Sequence, residues 1–91
     1  MTPQNSVPRE EDRPVSVDIR DGMLRVKLQD GREIATPLEW YPVIANADPA
    51  QQMNVELGLY GIHWRDLDED LSVSGMLRGI RPPQRPALMR E

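Results

Sequence analysis

Cysteine and phenylalanine are both absent from this 91-residue chain, and histidine occurs once. Without cysteine there can be no disulfide, no thiolate nucleophile and no cysteine-ligated zinc. A lone histidine leaves a transition metal without a second imidazole. Aromatics are scarce, with two tryptophans and two tyrosines. Trp40, Tyr41, Tyr60 and Trp64 are therefore the largest apolar bodies available. Filling the core is their expected use, and an exposed binding ring is the alternative. No stretch approaches the roughly 18 apolar residues of a membrane span. The opening MTPQNSVPREEDRP has no apolar signal core, so a bacterial-type cytoplasmic protein is expected. Phosphate loops, dinucleotide fingerprints and nucleophile elbows are missing as well, which argues against an enzyme.

The length suits one small domain with much of its surface wet. Three segments are expected: a flexible lead over 1–13, a single folded domain over 14–80, and a Pro/Arg tail over 81–91. Charge is divided along the chain. From Pro14 to Leu77 there are eleven acids against five bases, and from Arg78 to Glu91 four arginines against one glutamate. An acidic body is a poor grip for nucleic-acid phosphates, so direct nucleic-acid binding is not expected. The tail arginines Arg78, Arg81 and Arg85 are possible contacts to an acidic partner.

Period-two alternation gives the clearest local signal. Val15, Val17 and Ile19 alternate with Ser16, Asp18 and Arg20; Leu24, Val26 and Leu28 alternate with Arg25, Lys27 and Gln29. Between them Asp21-Gly22 suits a two-residue hairpin turn, which needs positive φ at both centres. Asp30-Gly31 marks a second turn before Ile34 and Thr36. The pattern predicts a three-strand antiparallel meander with one wet face. Thr36-Pro37-Leu38-Glu39 resembles a helix start, with Pro42 disturbing its first turn. Asp48-Pro49-Ala50-Gln51 begins another short helix. Val55 to Trp64 returns to strand character, broken by Gly58 and Gly61, as a later hairpin. Ser72 can cap a last helix whose Val73, Met76, Leu77 and Ile80 form an apolar stripe, with Gly79 at its end. The expected fold is thus α+β: an antiparallel sheet of a three-strand meander plus a later hairpin, with three short helices packed on one face.

The chemistry-bearing residues concentrate in Val55 to Ile80. His63 stands beside Asp66, Asp68, Glu69 and Asp70, which invites a metal or an acid–base pair. Asp66-x-Asp68-x-Asp70 opens like a calcium loop, but the sixth and twelfth positions are Leu71 and Leu77 rather than glycine and glutamate. Calcium fails that test. A metal-dependent hydrolase centred on His63 stays as a distant alternative. No catalytic residue, metal or cofactor is expected. The plain reading of the run is a solvated acidic loop favouring the start of the helix after Ser72.

DGREIATPLEWYPVIANADPAQ followed by YGIHWRDLDEDLSVSGMLRG resembles the bacterial domain of unknown function family 2442. The likeness spans about Val15 to Gly79. Gly61, Ile62, His63, Trp64, Asp66, Leu67, Asp68, Glu69, Asp70, Ser72, Val73 and Gly75 fall in register with its second motif. The chain departs at Arg65, where the family usually has proline, at Val55, where it often has tryptophan, and in a shorter turn around Gly58. The resemblance implies a small α+β domain that sits beside a second small protein, in an arrangement similar to toxin–antitoxin pairs. It implies no catalytic residue. Some members carry a helix-turn-helix, for which this chain has no room.

Together these readings predict a non-enzymatic binding module, an antitoxin-like partner that masks a basic surface of a small toxin or effector. Asp66, Asp68, Glu69 and Asp70 would face that surface, anchored by Trp64 and Arg65. The alternative is a phage or mobile-element inhibitor that mimics nucleic-acid charge with the same acidic residues.

Overall fold

The computed structural model describes residues 9–81. Strands β1 (Pro14–Arg20), β2 (Met23–Leu28) and β3 (Glu33–Pro37) form an antiparallel meander in the order β1-β2-β3. Helices α1 (Pro42–Ala45) and α2 (Pro49–Met53) follow. A second antiparallel meander comprises β4 (Val55–Leu57), β5 (Gly61–Trp64) and β6 (Glu69–Ser72), and α3 (Val73–Leu77) closes the fold. The α+β expectation holds. The later hairpin is extended by β6, which the acidic run concealed.

The first meander follows its alternation closely. Asp21 and Gly22 take φ of 55° and 73°, the two positive values that a tight hairpin turn needs. The second turn is longer. Leu28 N–H donates to Arg32 O at 2.8 Å, and Gly31 supplies the left-handed residue at φ 97°. The expected face of Val15, Val17 and Ile19 requires one correction. The register slips between Pro14 and Ser16, so Val15 is the extra residue of a bulge and lies 44% exposed. Pro14 is buried in its place. Part of the expected lead is also structured. Glu10–Asp12 forms a 3-10 turn, and Arg32 bonds both Asp12 and Asp30. The Arg32 backbone N–H, at 3.0 Å from Asp30 Oδ1, holds that carboxyl below the usual aspartate range. The guanidinium adds to this against a desolvation cost. Asp12 first, then Asp30, raise Arg32 in return.

The expected helix from Thr36 is broken in two. Thr36 is not a cap: it is a buried β3 residue whose Oγ1 accepts from the Tyr41 hydroxyl at 2.9 Å. Leu38–Trp40 makes a 3-10 turn, and α1 begins only at Pro42, which cannot donate into a preceding helical turn. The α2 start is as read. Asp48 accepts from Gln51 N–H at 2.8 Å, and the Gln51 side chain accepts from Asp48 N–H at 3.1 Å. Ser72 caps α3 by accepting from Gly75 N–H at 2.9 Å. The apolar stripe is cut short, because α3 ends at Leu77 and Gly79 turns the chain at φ 75°. Ile80 N–H then bonds Gly75 O, a left-handed helix stop. Val73 and Met76 are buried, while Leu77 and Ile80 are exposed.

Both meanders turn their apolar faces into one core. Leu24, Val26, Leu28 and Ile34 come from the first, Ile62, Trp64 and Leu71 from the second, with Tyr41, Ile44, Val73 and Met76 between. Helix α2 lies against β1 and β5, and α3 against β3 and β6, so the helices tie the two sheets together. Full burial of one large side chain stabilises by roughly 1.5–3 kcal/mol, and in a domain this small each one is a sizeable fraction of the total.

Candidate functional site

The motif residues build the second meander and its last turn. Trp64 pairs with Glu69 across a four-residue loop, Arg65 to Asp68. Leu67 N–H closes the turn on Trp64 O at 3.3 Å, and Asp68 takes the left-handed conformation at φ 51°. Aspartate tolerates that conformation better than most residues. Asp66 accepts from Asn54 Nδ2 at 3.0 Å, pinning the loop to the end of α2. The acidic run is therefore a hairpin turn and the strand after it, rather than a free loop.

Strand parity sorts the expected contact residues. Trp64 faces inward and is fully buried, its indole Nε1 donating to Gln52 O at 2.9 Å. It has no surface to offer a partner, which corrects its expected role as an anchor. Glu69 lies opposite Trp64 and is half-buried. Arg65, Asp66, Asp68 and Asp70 are exposed. Of the possible tail contacts, Arg78 is exposed and Arg81 stacks over Trp40 at 4.3 Å from the ring centroid. Arg85 lies outside the described residues.

Across the outward face, Glu56, His63 and Asp70 fall in one cross-strand row, because Glu56 pairs with His63 and His63 with Asp70. Arg65 reaches back to Glu56 at 3.7 Å. His63 Nδ1 lies 2.8 Å from Asp70 Oδ1. A carboxylate can only accept, so Nδ1 is the donor in this contact. Beside this row Gly61 pairs with Ser72. A Cβ at Gly61 would run into the Leu71 carbonyl oxygen, so only glycine lets β5 approach β6 here. These residues floor a groove of about 500 Å³ edged by Tyr60, which is 57% exposed. Glu56 escaped the sequence reading, whereas Tyr60 was named there as an aromatic and Ser72 as a helix cap, neither as part of a site with His63. Glu56 was detectable in principle, since it precedes His63 by the span of one short hairpin.

This face offers charge and hydrogen bonds. One imidazole is oriented by one carboxylate, and among the described residues no hydroxyl bonds to it. Among the described residues no group of three His, Asp or Glu side chains converges to hold a metal ion. Nor is any helix there long and apolar enough to cross a membrane.

Two solved structures resemble the chain. A protein of unknown function from Rhodospirillum rubrum is 33% identical, with a TM-score of 0.67 over 79% of this chain and 92% of that one. An uncharacterised protein from Chromobacterium violaceum is 27% identical, with a TM-score of 0.68 over 78% of this chain and 69% of that one. No protein of curated function matches. The model of the family described as "Protein of unknown function (DUF2442)" matches residues 14–82, which include both meanders, all three helices and the motif of the second turn. The chain belongs to the DUF2442 family.

Proposed function

We propose that this chain is a non-enzymatic binding module of the cytoplasm, an antitoxin-like partner that covers a basic surface of a small toxin or effector. The observation that carries this reading is the outward face of β4–β6 and its turn. Glu56, Asp66, Asp68 and Asp70 are all exposed there, with Arg65 as the neighbouring base. The same sequence run turns its apolar members Ile62, Trp64 and Leu71 into the core. Charge and packing are thus divided between two faces of one short sheet. A carboxylate-rich face steers a basic partner in and weakens with salt.

The test uses the full chain as bait and follows the captured partner by calorimetry across ionic strength. Affinity should fall steeply with salt. Replacing Asp68→Asn, Glu69→Gln and Asp70→Asn together should weaken binding by about 2–4 kcal/mol. Asparagine accepts positive φ, so the turn at Asp68 survives the change. Salt-insensitive binding, or a triple variant that binds as well as the parent, would remove the masking role.

A further inference from the structure

The two sheets have four edges, and they differ in what lies beside them. β1 lies against β4, and α3 lies against β3 and also against β6, from which it directly continues. The edge of β6 is different. Among the described residues β6 pairs with β5 alone. Val73 N–H bonds Tyr60 O at 2.9 Å, so by strand parity Leu71 and Glu69 direct their backbone groups toward β5. Asp70 and Ser72 then direct their N–H groups outward, and Asp70 its carbonyl as well. They open onto a groove of about 370 Å³ between β6 and the segment that follows it. Asp70 and Ser72 line one side of it, Met76 and Ile80 the other, and Arg81 sits at the end. Ile80 is 52% exposed.

We infer that β6 is an acceptor edge, to which a partner adds an extended segment as a fourth strand carrying basic and aliphatic side chains in alternation. Strand addition of this kind draws affinity from main-chain bonds and specificity from alternate side chains. Here the alternation is set by the groove. Side chains on the outward face of the incoming strand would stand beside Asp70, which favours lysine or arginine. Side chains on the other face would cover the exposed Ile80, beside the already buried Met76, which favours aliphatics. A second copy of β6 is a poorer occupant, because it would bring Asp70 and Glu69 against the same charges of its twin. This inference rests on the masking reading and gives it a binding mode.

The probe is a capped peptide of alternating lysine and valine, with a glutamate–valine peptide as its control. Amide hydrogen exchange of the full chain is followed by NMR. The lysine peptide should slow exchange at Asp70 and Ser72 by at least about tenfold, with no comparable change at Leu71, already bonded to β5. The glutamate peptide should leave all three unchanged. Asp70→Pro, which deletes an outward donor, should abolish binding, whereas Asp70→Asn should weaken it only severalfold. Were Asp70→Pro to unfold, the exchange pattern of the parent chain still decides. Salt-sensitive binding of the lysine peptide without protection at Asp70 and Ser72 would overturn the strand addition while leaving charge masking intact. Failure of the lysine peptide to bind would overturn the strand addition too, and masking would then be judged with the captured partner. Protection of those amides without peptide, together with dimer formation in sedimentation, would assign the edge to a second copy instead.

Discussion

The two meanders answer the same pairing problem with different means. The first has strands of seven, six and five residues; the second has three, four and four. Long strands with regular alternation and an Asp-Gly turn make the first meander largely self-specifying. The second has too few pairs for that. Its geometry comes from elsewhere: the Trp64 indole on Gln52 O, the Asn54 amide on Asp66, and a glycine-only approach of β5 to β6. One meander is encoded locally, the other by its contacts with α2 and the core. The second is therefore where a side chain can be both motif and packing, and where sequence alone misassigns it.

Removing the indole is the harshest test of that difference. Trp64→Ala should destabilise the chain by about 4 kcal/mol, from lost burial, the cavity left and the lost bond to Gln52. Small domains hold only about 5 kcal/mol or a little more in total, so much of the population should unfold. Urea unfolding followed at amides of both meanders should show one coincident transition, since their apolar faces share a core. Protection lost in β5 and β6 but kept in β1 to β3 would divide the molecule into two units and break the single-core account.

A matched pair of glycine substitutions sharpens the contrast. Gly22→Ala places a Cβ where nothing lies within 4 Å, so only the positive φ is penalised, at about 1 kcal/mol. Gly61→Ala drives a Cβ into the Leu71 carbonyl and should cost about 2–3 kcal/mol. Denaturant midpoints of the two variants give the order directly. Equal losses would mean that β6 moves aside freely and is not held by α3.

What the sequence displayed follows the same division. The alternation of β1 to β3, the Asp48 capping box and the Ser72 cap were legible because each is a local pattern with its own mechanism. β6 was not, because two of its four residues are acidic and a glutamate or aspartate in a short strand looks like loop. The bulge at Val15 was hidden as well, since a period-two count cannot tell which of two adjacent apolar residues, Pro14 or Val15, enters the core. Trp64 carried the hardest ambiguity. An aromatic beside an arginine and a run of acids has the composition of an interface, and only the parity of β5 shows it facing inward. Asp66, Asp68 and Asp70 were singled out as a group for a partner, and the service they show is structural: a pinned loop, a left-handed turn residue and a partner for His63.

The smallest expected effect tests the charge pair in the second turn of the locally encoded meander. Asp30 is held below the usual aspartate range, first by the Arg32 backbone N–H and then by its guanidinium, which also reaches Asp12 in the turn before β1. A carboxyl lowered in the folded state adds stability above its unfolded value and loses it as pH falls through the folded one. The contribution should be present at neutral pH and disappear below about pH 4. Asp30→Asn removes it at every pH, so the parent should be slightly the more stable at pH 7 and the two should converge on acidification. Both groups lie at the surface, so added salt should shrink the gap at neutral pH. Thermal midpoints measured from pH 7 down to about pH 3 would show the convergence. A gap independent of pH would mean that Asp30 acts through loop geometry alone, its charge adding nothing to the second turn.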